Sequence, residues 1–147
     1  MAVELRAEPF EPYEELCRYQ SGMHGRLIGA YGATASFVGP MRDFNEGDLV
    51  RRMSLEHYPG MTERQLGRIV DETRARWPVL DVLVIHRTGE IDPGDPIVLV
   101  VVWSEHRGPA FDACRYIMEQ LKTSAPFWKR ETLSDRERWV ERNTTGY

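Results

Sequence analysis

Seven consecutive apolar residues, Ile97-Val-Leu-Val-Val-Val-Trp103, constrain this chain more than any other stretch. A run this dense and this rich in β-branched residues predicts a strand buried on both faces. It is too short to cross a bilayer. It leads into Ser104-Glu-His106-Arg107-Gly-Pro109, and Pro109 suits the first turn of a helix. Phe111, Cys114, Ile117, Met118 and Leu121 place an apolar stripe along that helix, which closes on Lys122. After Pro126, Phe127 to Glu131 reads as a short strand with Lys129 and Glu131 on the face of Phe127. This strand–helix–strand unit delivers His106, Arg107, Lys122, Lys129 and Arg130 to the ends of its elements. Whether those cations meet is the functional question.

The rest of the chain supplies partners for that strand. Val3 to Ala7 alternates and predicts a first strand. Tyr13 to Gln20 predicts a short helix with Leu16 and Cys17 inward, followed by a turn at Ser21-Gly-Met-His-Gly25. Leu27 to Val38 is small and apolar. As a strand it would share Ala33, Ala35 and Phe37 on one face, and its glycines suggest a bulge or a close backbone approach. Gly39 to Asp48 is a loop carrying Arg42, with Asn45-Glu-Gly-Asp48 as its turn. Leu49 to Glu56 alternates as a strand. Thr62 and Gln65 fit a capping box, and Leu66, Ile69, Val70, Thr73 and Trp77 follow helical spacing up to Pro78. Asp81 to Ile85 is a short buried strand ending in His86-Arg87. Trp139-Val140 is a last strand, and Asn143 to Tyr147 begins a tail. Strand–helix–strand twice over predicts an α/β or α+β class.

A length of 147 residues predicts one domain spanning 1–147. The net charge of −4 gives no general reason to bind nucleic acid or an anionic membrane, so a local cluster of cations is the more informative. Cys17 and Cys114 form no CxxC, so neither a disulfide framework nor a metal site is expected. No secretory apolar segment follows Met1, and the cytoplasm is the expected compartment. P-loop, GxGxxG, GxSxG and HExxH patterns are absent.

Each cation also has an ordinary explanation. Arg107 at a helix start could bind an anion, or pair with Glu105 or Asp112. Lys122 in a last helical turn complements the helix dipole. Lys129-Arg130 could be a charged strand edge. His86-Arg87 has no helix start behind it and reads as structural. Residue chemistry alone therefore reaches a soluble α/β domain with a candidate anion site.

A series of motifs in order carries the chain further. They are Phe37-Val-Gly-Pro-Met-Arg42, Leu55-Glu-His-Tyr-Pro-Gly-Met-Thr62, Ile69-Val-Asp-Glu72 through Arg76-Trp-Pro78, Ile85-His-Arg-Thr-Gly-Glu90, Ser104-Glu-His-Arg107, and Leu121-Lys-Thr-Ser-Ala-Pro-Phe-Trp-Lys-Arg-Glu131. Together they resemble the large, catalytic subunit of molybdopterin synthase, the MoaE family. The resemblance implies an α/β hammerhead fold with an additional small β-rich lobe. It implies a homodimer in which each subunit binds a small ubiquitin-like sulfur carrier ending in a Gly-Gly thiocarboxylate. The implied reaction installs two sulfurs on cyclic pyranopterin monophosphate, giving the dithiolene of molybdopterin. No cofactor or metal is implied, because the sulfur arrives already activated.

The functional positions implied by the resemblance fall on residues already noted. Lys122 matches the catalytic lysine and Lys129 a second active-site lysine. Pro40, Met41, Arg42, His106, Arg107, Arg130 and Glu131 match substrate-contacting positions. Some of these are expected to serve the neighbouring subunit. Two anions, a cyclic phosphate and a thiocarboxylate, must approach each other, which accounts for the cations. Lys122, half-buried among cations, is expected to lose its proton more easily than a free lysine. The alternative is a non-catalytic module binding a phosphorylated pterin or a peptide C-terminus.

Overall fold

The computed structural model describes residues 1–141, so the expected tail from Asn143 lies outside the described residues. The apolar run forms strand β8 (Pro96–Ser104), with every residue from Val98 onward buried. It lies inside a sheet ordered β1-β6-β8-β2, built from β1 (Ala2–Arg6), β6 (Val79–Arg87) and β2 (Ala33–Pro40). β1 runs parallel to β6, while β6 and β2 flank β8 antiparallel. Both faces of β8 are covered, which is why its sequence does not alternate.

On one face Val98, Val100 and Val102 join Val82 and Val84 against α2 (Met61–Arg76) and α3 (Arg107–Thr123). On the other, Leu99, Val101 and Trp103 meet α1 (Pro12–Leu27). The Trp103 indole N–H donates to Gln20 at 3.0 Å. α1 runs on through the expected turn at Ser21 to Gly25, because Met23 is buried against Trp103's face and packing outweighs the low helix propensity of glycine. Cys17 consequently sits on the exposed side of α1 instead of facing inward. The strand expected from Leu27 starts only at Ala33. Gly32 meets the chain end of β8 so closely that a Cβ there would lie 2.6 Å from the Glu105 carbonyl oxygen.

A second, antiparallel sheet is ordered β10-β9-β5-β7, from β10 (Glu137–Trp139), β9 (Phe127–Thr132), β5 (Arg52–His57) and β7 (Gly89–Ile91). A small hairpin, β3 (Phe44–Asn45) and β4 (Asp48–Leu49), turns at Glu46-Gly47 with both residues at positive φ. The strand–helix–strand unit thus bridges two sheets: β8 belongs to the first and β9 to the second. Phe127 packs against both the main core and the small core of Met41, Val50, Met53, Leu55, Ile91 and Leu133. The result is a mixed α/β architecture whose second sheet corresponds to the additional β-rich part implied by the motifs.

The N-cap of α2 falls two residues earlier than expected. Gly60, at φ 81°, precedes it, and its N–H donates to the Glu63 carboxylate at 2.6 Å. Thr62 is instead fully buried. Its hydroxyl accepts from the Tyr58 N–H at 3.1 Å and donates to the Pro126 carbonyl at 3.2 Å. That bond ties the start of α2 to the segment entering β9.

Candidate active site

A cavity of about 740 Å³ opens where the C-terminal end of α3 faces the junction of the two sheets. Three cations reach it from separate elements. Lys122 comes from the last turn of α3, just after Leu121 anchors the apolar stripe in the core. Lys129 comes from β9, on the same face as Phe127. Arg42 comes from the loop after β2. That loop is pinned to the β7–β8 turn by two backbone bonds, Met41 N–H to Asp95 at 2.9 Å and Gly94 N–H to Met41 at 2.8 Å. Phe37, Val98, Met118, Leu121 and Phe127 make the apolar wall. An extension of about 120 Å³ shares Pro40, Arg42, Lys122 and Lys129 with the cavity and adds Met41 and Glu131.

Positive charge is concentrated here. Burial, the neighbouring Lys122 and Arg42 lower the proton affinity of Lys129 to about 8, with Glu131 pulling the other way. Lys129, the second lysine of the pair, is thus the one whose free amine becomes accessible near neutral pH. Glu131 is buried and engaged elsewhere: Asn45 Nδ2 donates to both of its oxygens, and Arg138 Nε donates to one at 3.0 Å.

His86 lines the cavity as well, although its sequence context suggested a structural role. Alternation along β6 puts it on the face of Val82 and Val84, which is the cavity side. Its ring stacks on Phe127, and its Nδ1 lies 2.8 Å from the Arg87 carbonyl oxygen. A carbonyl only accepts, so Nδ1 carries the hydrogen and Nε2 the lone pair. Burial, with Lys129 and Lys122 nearby, pushes the imidazole down to about 4, so it is neutral near pH 7. The signal for His86 was present in the period-two pattern. Nothing local showed that this face opens onto a pocket.

Two groups of expected site residues are placed elsewhere. Arg130 points to the opposite face of β9 from Lys129, as strand alternation requires. It lies 3.8 Å from Glu137 and over the Trp139 ring, and lines an outer groove with Arg51 and Arg52. Arg130 is thus not a wall of this cavity. His106 and Arg107 are exposed at the N-terminal end of α3, while Lys122 is at its other end. The helix rises ~1.5 Å per residue, so its two ends are roughly 25 Å apart. Within one chain the His106-Arg107 pair and the lysine pair do not meet. Buried Cys114 has its thiol pushed up to about 11, which suits a core residue and not a nucleophile.

The fold and this cavity define an α+β protein with a partly apolar, cationic pocket. Comparison with known proteins narrows the class. The MoaE protein family profile matches residues 6–124. A molybdopterin synthase catalytic subunit from Pseudomonas aeruginosa is 48% identical over 141 residues, which cover 96% of this chain and 91% of that one. Its counterpart from Escherichia coli is 57% identical over 110 residues, 75% of this chain and 73% of that one. A solved molybdopterin biosynthesis MoaE protein from Burkholderia ambifaria superposes with a TM-score of 0.78 at 44% identity, covering 99% of this chain and 94% of that one. The chain belongs to the MoaE family.

Proposed function

We propose that this chain is the catalytic subunit of a molybdopterin synthase and acts as a sulfurtransferase. The observation that carries the proposal is the convergence of Lys122, Lys129 and Arg42 on one cavity with an apolar wall, in a member of the MoaE family. The substrate is cyclic pyranopterin monophosphate. The sulfur donor is the C-terminal thiocarboxylate of a small ubiquitin-like partner, two of which are consumed per dithiolene. Residues 1–147 act as one catalytic unit in the cytoplasm.

The apolar wall of Phe37, Met118 and Phe127 suits a planar pterin, and Arg42 suits its phosphate through paired N–H donors. Lys122 holds the anionic thiocarboxylate against the pterin. Lys129, whose affinity near 8 leaves a useful fraction of free amine at neutral pH, exchanges the proton as sulfur is transferred. A fixed cation beside the opening phosphate ring stabilises the developing oxyanion. Pro40 and Met41 shape the narrow extension. Glu131 supports that wall without contributing a counter-ion to the lysines.

His106 and Arg107 enter through a second copy of the chain. In a homodimer, the exposed start of α3 from one subunit completes the cavity at the end of α3 in the other. That arrangement uses cations which a single chain leaves roughly a helix length from the lysines.

The test is reconstitution. Purified chain, thiocarboxylated partner and cyclic pyranopterin monophosphate should yield a dithiolene pterin. Calorimetric binding of the pterin with no product, using a partner shown to be active, would instead identify a non-catalytic binding module.

A further inference from the structure

Lys129 and Glu131 stand two residues apart on one face of β9, and both line the narrow extension. Among the described residues, Glu131 is the single acid lining the cavity and its extension. A carboxylate so placed would ordinarily pair with the adjacent lysine and raise its proton affinity. Here it is occupied. Asn45 Nδ2 donates to its two oxygens at 3.1 and 3.0 Å, and Arg138 Nε donates at 3.0 Å. Among the described residues Glu131 forms its ion pair with Arg138 and none with Lys129.

Arg138 is itself braced. Its Nη1 donates to Asp48 at 2.8 Å and its Nη2 to the Asn45 carbonyl at 2.9 Å. Both partners belong to the β3–β4 hairpin, and only 19% of the Arg138 side chain is exposed. The hairpin and β10 therefore grip Glu131 from two sides.

We propose that Arg138, braced by the β3–β4 hairpin, is a positioning residue for the lysine pair: it holds Glu131 so that Lys129 faces Lys122 and Arg42 without a carboxylate counter-ion. An ion-paired Lys129 would be a poorer base, and its charge would be spent before an anionic sulfur donor arrived. The other groups facing Lys129 are Lys122 from α3, Arg42 from the loop after β2 and neutral His86 from β6; β5 presents Leu55 at the paired position. Among the described residues Glu131 is thus the charged group there that raises the proton affinity of Lys129, and burial and Lys122 outweigh it.

This role rests on the assignment of the lysine pair to catalysis, but its test does not need turnover. The Lys129 Cε resonance of the intact, ¹³C-lysine-labelled protein is titrated by NMR. Arg138→Gln should raise the Lys129 titration by about one pH unit, as expected for a carboxylate freed beside it. The double variant Arg138→Gln/Glu131→Gln should show no such rise. An unchanged titration in Arg138→Gln, or an equal rise in the double variant, would overturn the proposal. If Arg138→Gln fails to fold, Asn45→Ala decides: an upward shift supports the grip on Glu131, and an unchanged titration removes it. A shifted titration in a protein whose wild type makes no product would count against the synthase assignment alone.

Discussion

The His86 imidazole lies stacked on the Phe127 ring, centroids 4.0 Å apart and planes 14° from parallel. Phe127 is two residues before Lys129 on β9, so this contact ties the lysine-bearing face of one sheet to a buried strand of the other. His86 is locked from behind by its bond to the Arg87 carbonyl. It stays uncharged beside two lysines, and the stack would be costly to keep with a buried third cation.

Acid should loosen that junction. The folded state holds His86 at about 4, against 6.5 when unfolded, so between these values the unfolded chain binds more protons. Stability contributed by His86 is then present above pH 6.5 and lost as pH falls toward 4. His86→Phe keeps an aromatic ring on Phe127 and removes the titration. Urea midpoints measured from pH 6.5 to 5 should fall less steeply in His86→Phe than in wild type. Equal slopes would contradict the assignment.

Lys129 gives a second, alkaline window. Its folded value of about 8 lies below the unfolded 10.5, so the unfolded chain again binds more protons between the two. The cost of burying its charge is present below pH 8 and relieved as pH rises toward 10.5. Relative to Lys129→Met, wild-type stability should therefore climb across that range, read from denaturant midpoints. A parallel course of the two curves would place Lys129 in solvent.

Thr62 is the hinge pin between α2 and the entry to β9. Thr62→Val keeps the shape and strands the Tyr58 N–H and the Pro126 carbonyl, both bonded to the hydroxyl. Losing these partners should cost about 1–3 kcal/mol in chemical unfolding. Thr62→Ser, which keeps the hydroxyl, should cost less.

Much of the fold was legible because its longest elements bury continuous or strictly periodic apolar sets: β8, α2 and α3 follow directly from Ile97–Trp103, Leu66–Trp77 and Phe111–Leu121. What escaped depended on distant partners. Gly22 and Gly25 argue for a turn until Met23 is seen packed in the core. Nothing local shows that β9 leaves the sheet of β8 for another. The site followed the same division. Lys122, Lys129 and Arg42 were found in sequence and meet in space. Arg130 lies outside the cavity because adjacent strand residues face opposite ways. His86 was passed over because the cavity beside it is built by α3 and β9, far along the chain.

Shared sites in a homodimer make a sharp prediction. Lys122→Ala and Arg107→Ala homodimers should each be inactive in the reconstituted reaction. A purified hybrid of one subunit of each kind should regain about half of wild-type turnover, because one of its two cavities then has both residues intact. An inactive hybrid, with both parent homodimers inactive, would mean that Arg107 serves the cavity of its own chain.

The most direct test of the whole account is kcat for conversion of cyclic pyranopterin monophosphate by Lys122→Ala beside wild type, with folding checked by circular dichroism and melting. Lys122 lines the cavity beside Lys129, and its charge helps keep Lys129 able to shed a proton. Turnover in the folded variant should fall by about 10²-fold or more, the scale expected for loss of a positioned proton-transfer system. A folded Lys122→Ala protein turning over near the wild-type rate would contradict it.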